Sequence, residues 1–137
     1  MKKFLKIIGV AATALVFTLG FSDKAMAADH TMHTGDAFGS ATGWSGRGWF
    51  NEHGDVVTIC DDDADGQAVA MYVYYGSPTG NPMYSFHVGG EGRCATRKAS
   101  MGGSYNLQEN HYVGFKFCVY TNGSGSECKD YKFYNDH

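Results

Sequence analysis

The chain has 137 residues, of which 18% are charged and 43% hydrophobic, and its formal net charge is -3 at pH 7. An acidic balance disfavours nucleic acid and anionic lipid as ligands, because both need a cationic surface. The length suits one domain with a core of its own.

The first predicted element is an N-terminal secretory leader. Three lysines lie within the first six residues, an uncharged apolar run covers residues 7–21, and Ala25-Met26-Ala27 has the small-x-small pattern of a cleavage site. The run is shorter than the roughly 20 residues that span a bilayer, so an uncleaved anchor is the weaker alternative. We therefore predict a signal peptide at residues 1–27, a secreted extracellular protein without a stable membrane anchor, and a mature part with 7 basic and 13 acidic residues.

Residues 28–48 are rich in Gly, Ser, Thr and His, and we interpret them as a flexible N-terminal arm. Residues 49–137 are the predicted disulfide-stapled β domain. Its strands are indicated by β-branched runs and by alternation of apolar and polar residues between Gly- and Pro-rich breakers, at residues 56–60, 67–75, 83–88, 112–121 and 127–134. The prediction is an all-β fold, a single small antiparallel β-sandwich or compact barrel of about seven strands.

Four cysteines fall in the mature part, and an even number in a small exported chain is typical of a disulfide framework. Three pairings are possible. Cys118 and Cys128 flank a strong turn sequence at residues 121–125, which favours a Cys118–Cys128 bridge across a hairpin and leaves Cys60 to pair with Cys94. A reactive thiol is the weaker alternative.

The segment from residue 46 to residue 66 also carries a resemblance. Residues 46–55, the strand at 56–60, the acidic loop at 61–66 and the spacing of the later cysteines are together similar to small secreted, disulfide-bonded β proteins of Gram-positive bacteria, actinomycetes especially. That group has no assigned activity. The resemblance implies export and a β fold, and it implies no functional residues.

The acidic loop is a candidate calcium site. Counted from Asp61, carboxylates fall at positions one, three and five (Asp61, Asp63 and Asp65) and Gly66 at six, the front half of a calcium-loop pattern. Position twelve is Tyr72 and the flanks are predicted strands, so the loop is no EF-hand. It is a hairpin loop that could close around Ca²⁺ with backbone carbonyls or Glu91. A solvated acidic turn is the alternative, and it ranks ahead of the metal.

Cleavage after Ala27 would create a second metal site. The free amine of Ala28, the backbone amides of Asp29 and His30 and the imidazole of His30 offer four nitrogens in a square plane, a geometry that Cu(II) and Ni(II) favour. Cleavage one residue away abolishes the plane. Neither His-x-His nor His-Glu-x-x-His spacing occurs, so no catalytic zinc site is indicated and we predict no catalytic residues.

The mature part carries two Trp, nine Tyr and six Phe, more rings than a small β domain easily buries. Exposed Tyr and Trp make good contact surfaces for a protein or a sugar ring. The alternative is that such rings only cover the faces of the sheets. The predicted binding surface consists of Trp44, Trp49, Tyr74 and Tyr120.

Three functions remain as hypotheses. The leading one is a small secreted non-enzymatic binding module with a protein or glycan partner outside the cell, whether inhibitor, toxin or surface factor. The first alternative is a calcium-stabilised extracellular structural protein, with Ca²⁺ as the one candidate cofactor. The second is a small secreted hydrolase, which a pocket with paired carboxylates or with a His beside a hydroxyl would favour. We expect a monomer that binds no nucleic acid.

Overall fold

Two antiparallel four-stranded sheets make up the computed structural model, which describes residues 29–35 and 43–137. The strand order is β1-β2-β3-β6 in the first sheet and β5-β4-β7-β8 in the second. Two short 3₁₀ helices, Ala99–Met101 and Gly103–Tyr105, precede β7. The strands are β1 His30–His33, β2 Gly46–Asn51, β3 Val56–Asp61, β4 Ala68–Tyr75, β5 Tyr84–Gly89, β6 Cys94–Arg97, β7 His111–Thr121 and β8 Ser124–Asn135.

The core lies between the two sheets, and strand periodicity places it there. Successive side chains of a strand point to opposite faces, so an alternating sequence buries one face and exposes the other. On β7 the inward set is Val113, Phe115, Phe117 and Val119, each no more than 2% exposed. Each such buried side chain contributes roughly 1.5–3 kcal/mol. The predicted all-β antiparallel fold is confirmed, and of its two predicted forms, sandwich and barrel, the structure has the sandwich.

The interpretation of residues 28–48 as a flexible arm is wrong for the described residues before Trp49. His30–His33 is strand β1, paired with β2, and Met32 is fully buried in the core. The Thr34 hydroxyl accepts hydrogen bonds from the backbone N–H groups of Ser45 and Gly46 at 3.0 Å. The Gly35 N–H donates to the Glu127 carbonyl at 2.8 Å. The β domain therefore begins before Trp49. The predicted leader, Ala28 and residues 36–42 lie outside the described residues.

Both predicted disulfides are confirmed. Cys60–Cys94 joins directly paired positions of β3 and β6, and Cys118–Cys128 joins β7 to β8 beside a bulge in their register. Two disulfides in a small domain indicate an extracellular or otherwise oxidising compartment. Within residues 29–35 and 43–137, no helix has the length and apolar character to cross a membrane.

Asp55, in the turn between β2 and β3, connects three distant segments. Its side chain is buried, and its carboxylate accepts hydrogen bonds from the Leu107 N–H at 2.8 Å and from Asn135 Nδ2 at 3.0 Å. Burial raises the pKa of the Asp55 carboxyl, while the two hydrogen bonds oppose that shift. This buried carboxylate anchors the end of β8 and the segment before β7 to the first sheet.

Candidate functional site

The outer face of the second sheet carries aromatic rings at alternating positions. β4 directs Val69, Met71 and Val73 into the core, so its tyrosines at 72 and 74 belong to the opposite face. The same alternation and the strand registers place rings of β5, β7 and β8 on that face. We define the tyrosine face by Tyr72, Tyr74, His87, Tyr112, Tyr120 and Tyr134.

Two adjoining pockets on this face form a groove. The larger, about 250 Å³, is lined by Tyr72, Ser85, His87 and Tyr120 among others. The smaller, about 140 Å³, shares Tyr72 and includes Tyr74, Lys116 and the Cys118–Cys128 disulfide. The rings of His87 and Tyr120 stack in near-parallel geometry, with centroids 4.9 Å apart and planes at 22°. We call this groove the aromatic groove and define it by Tyr72, His87 and Tyr120.

Tyr72 lies at the centre of the groove, where the two pockets meet. Burial raises the pKa of its phenol, and the neighbouring phenols of Tyr120 and Tyr74 raise it further. The Tyr72 hydroxyl therefore stays protonated around neutral pH and can donate a hydrogen bond to a ligand. The groove combines apolar ring faces with hydroxyl and imidazole groups, the mixed chemistry typical of ligand pockets.

The four residues of the predicted binding surface do not share one face. Tyr120 lines the groove. Tyr74 borders the smaller pocket but is only 6% exposed, so the expectation that its ring is exposed is wrong. Its cross-strand neighbour is Gly114, and the loop at residues 76–78 packs directly on Gly114. A Cβ at Gly114 would lie 2.6 Å from the Pro78 nitrogen, so only glycine permits this approach.

The two predicted tryptophans belong to the first sheet and to the segment that leads into its strand β2. Trp49 lies on β2, half-buried, with the Arg47 guanidinium 5.5 Å from its ring centroid. Trp44 stacks on His33, with centroids 4.9 Å apart. Tyr72 and His87 are groove residues that the predicted surface omits. Their alternation with buried neighbours was visible in the sequence, but their proximity to Tyr120 depends on strand register.

The acidic loop borders a pocket of about 330 Å³. Asp61, Asp63 and Glu91 line it, together with Gln67 and the backbone of Gly90. Asp61 is 1% exposed, and its two oxygens accept hydrogen bonds from the Asp63 and Gly90 N–H groups at 3.1 and 2.8 Å. Burial raises the pKa of the Asp61 carboxyl, and the nearby charges of Asp65 and Asp63 act in the same direction.

The structure brings two of the three predicted calcium ligands to this pocket. Asp65 is not part of the lining, and its carboxylate accepts a hydrogen bond from the Gln67 N–H. Asp62 pairs with Arg47. Among the described residues, Asp61, Asp63 and Asp65 do not bring their oxygens together as a set of metal ligands. The loop is therefore an open acidic pocket rather than a closed cation cage.

The predicted copper or nickel plane falls partly outside the described residues, because Ala28 is not described. The other two residues have their own contacts. His30 Nε2 lies 2.6 Å from Glu52 Oε1, and its ring stacks on Phe133 with centroids 4.1 Å apart. The Asp29 carboxylate accepts a hydrogen bond from the Glu52 N–H at 2.8 Å.

One pair of residues in the groove partly matches the arrangement of base and hydroxyl that a hydrolase needs. His87 and Ser85 are both exposed and line the same pocket, which satisfies the proximity of a base and a hydroxyl. In the part of the chain that the structure describes, however, His87 makes no hydrogen bond to a hydroxyl and none to an orienting carboxylate. An activated nucleophile needs both contacts, so the geometry does not assemble one.

Comparison of the chain with protein-family models, with curated protein sequences and with solved structures yields no match. The resemblance to small secreted proteins of Gram-positive bacteria stays a prediction.

Proposed function

We propose that this chain is a small secreted module without enzymatic activity, and that it binds a glycan outside the cell through the aromatic groove. The observation that carries the proposal is the near-parallel His87–Tyr120 stack beside Tyr72, on an open pocket. A sugar ring has apolar C–H faces and a rim of hydroxyls. In the groove, the aromatic ring faces can contact the C–H faces of the sugar, and the polar groups can bond its hydroxyls.

Rigidity of the groove supports this role. Its residues come from three hydrogen-bonded strands, and the Cys118–Cys128 disulfide lines the adjoining pocket. Tyr and His side chains have few rotatable bonds, so ordering them on binding costs little conformational entropy. The disulfides indicate an oxidising compartment, and the predicted leader points to secretion.

Replacing Tyr120 with alanine is expected to weaken glycan binding about tenfold, because a lost ring contact is worth on the order of 1.4 kcal/mol. Tyr72→Ala should act similarly. The measurement is co-sedimentation with cell-wall polysaccharide, followed by calorimetry with soluble fragments. Tyr75→Ala is the matched control, since Tyr75 is 55% exposed and lies outside the groove.

Three outcomes would contradict the glycan proposal. The first is polysaccharide binding that Tyr72→Ala and Tyr120→Ala leave unchanged. The second is absence of polysaccharide binding together with capture of a secreted protease, which would favour a protein partner. The third is measurable hydrolase turnover, which would favour an enzyme.

The acidic pocket supports a second candidate, a calcium-stabilised extracellular protein. Three carboxylates line one pocket, and the side-chain oxygen Oε1 of Gln67 is buried there without a hydrogen-bond partner. Hard oxygen donors of this kind suit Ca²⁺. A cation beside Asp61 would also offset the cost of burying that carboxylate.

The calcium candidate predicts a thermal shift. The melting temperature in saturating Ca²⁺ should be several degrees higher than in chelator. A ligand at 100 times its Kd adds about 2.7 kcal/mol to the free energy of unfolding. Asp63→Ala should remove the shift, whereas Asp130→Asn, at an exposed acid of β8, should retain it. Coincident melting curves for the unaltered protein would eliminate calcium from the proposal.

A further inference from the structure

We infer that a second, separate site binds Zn²⁺ where the turn after β2 meets the end of β8. Glu52, Asp136 and His137 each place one ligand atom within 4.8 Å of the other two. His53 adjoins them, its ring centroid 6.2 Å from that of His137 in an edge-on arrangement. The chain thus collects one imidazole and two carboxylates in one place, and the ring nitrogens of His53 lie outside this cluster.

Glu52 is held in position before any metal binds. Its side chain is 12% exposed, with Oε1 at 2.6 Å from His30 Nε2 and Oε2 at 3.3 Å from the Asp136 N–H. His30 is itself fixed by stacking on Phe133. Such outer contacts orient a ligating carboxylate, and their loss typically costs 10–100-fold in metal affinity. The arrangement assigns His30 to orienting Glu52, and it assigns Glu52, Asp136 and His137 to ligation.

The types of ligand atom in the cluster indicate which metal it binds. Zn²⁺ takes imidazole nitrogen and carboxylate oxygen in tetrahedral geometry, and the three donors of the cluster leave the fourth position to water. Ca²⁺ and Mg²⁺ prefer oxygen alone, so the imidazole of His137 argues against them. The site is also remote from the aromatic groove. On the β7–β8 hairpin, Asn135 pairs with His111 and Tyr120 with Gly125, which places the two ends roughly 30 Å apart.

Zinc titration against a chromophoric chelator tests this site. We expect one equivalent of Zn²⁺ to bind, with an affinity that falls at least tenfold in Glu52→Gln and in His137→Ala. His111→Ala is the matched control, because His111 is a histidine at the same sheet end, paired with Asn135, and belongs to no ligand cluster among the described residues. The control should retain the original affinity.

Two further variants distinguish this cluster from the amino-terminal plane and from the acidic pocket. An extra glycine before Ala28 destroys the predicted four-nitrogen plane but leaves the cluster intact, so zinc affinity should not change. Asp63→Ala should likewise leave it unchanged. Circular dichroism and melting curves verify that each variant folds, and His137→Ala alters an exposed residue that contributes little to the core.

Absence of saturable zinc binding would overturn the inference. So would equal weakening by His111→Ala and His137→Ala, which would indicate adventitious binding to surface histidines. Loss of binding on adding the N-terminal glycine would assign the metal to the amino terminus instead. None of these outcomes bears on the glycan proposal, whose residues lie elsewhere.

Discussion

Removal of the Cys60–Cys94 disulfide, by replacing both cysteines with alanine, is expected to lower the free energy of unfolding by about 3.8 kcal/mol. The bridge spans 34 residues, and closing a loop of that length restricts the unfolded chain. Because small domains have only about 5–15 kcal/mol of stability, this is a large fraction of the total. Urea denaturation without reductant measures it.

The second disulfide provides the control for this prediction. Cys118–Cys128 encloses a loop of 10 residues, so the same arithmetic gives about 2.7 kcal/mol for its removal. The two double variants should therefore differ by about 1 kcal/mol, with the Cys60–Cys94 variant less stable. The reverse order would mean that local packing at the hairpin, and not loop length, sets the stabilisation.

Replacing Asp55 with alanine is expected to cost about 3 kcal/mol. The substitution leaves the Leu107 N–H and Asn135 Nδ2 without their carboxylate acceptor, and both bonds are buried. The backbone of Asp55 has a φ of 52°, a left-handed conformation that alanine adopts less readily. Thermal and urea denaturation measure the loss.

Asp55→Asn is the matched control and should cost less than about 1 kcal/mol. Asparagine tolerates the left-handed backbone and retains an oxygen for the Leu107 N–H. Its amide group then faces the Asn135 amide, and rotation of the Asn135 side chain supplies an acceptor there while giving up the 3.3 Å hydrogen bond from Asn135 Nδ2 to the Gln108 carbonyl. A loss in Asp55→Asn equal to that in Asp55→Ala would show that negative charge, rather than hydrogen-bond geometry, makes the contact.

The pH dependence of stability tests the same group. The folded-state pKa of Asp55 lies above its ordinary value of 3.8, mainly because the carboxyl is buried. The folded protein thus binds this proton more tightly than the unfolded chain does. Stability from this group is fully present below about pH 3.8 and is lost as pH rises through the raised folded pKa. Asp55→Asn should lack that component of the pH profile, while the one from Asp61 persists.

Local patterns were sufficient for much of the fold. The alternation of apolar and polar residues predicted the strand at residues 112–121, because a period of two is the pattern of a strand with one buried face. The turn sequence at residues 121–125 favoured the Cys118–Cys128 bridge, and elimination supplied the other. Strand β1 was not predicted. Only Met32 among its four residues is apolar, and an edge strand with a single buried apolar side chain shows no periodic pattern in the sequence.

The candidate sites depend on register, which local patterns do not contain. His87 and Tyr120 meet because Ala70 pairs with His87 on one side and with Cys118 on the other, and Tyr120 is the next residue after Cys118 on the same face. The zinc cluster unites Glu52 with Asp136, which are 84 residues apart. By contrast, the acidic loop was visible because its residues are consecutive, and the structure separates Asp65 from the pocket that its neighbours line.

The hydrogen bond from Gly35 to Glu127 bears on self-association. Unpaired edge strands invite pairing with another copy and promote aggregation. On β8, an outer strand of its sheet, the Glu127 carbonyl is already occupied, and a Cβ at Gly35 would crowd it at 2.8 Å. The adjacent register bulge and the charges of Lys129, Asp130 and Lys132 further oppose docking of a second chain. The occupied Glu127 carbonyl and the charged side chains of β8 therefore disfavour the addition of further strands at this edge of the sheet.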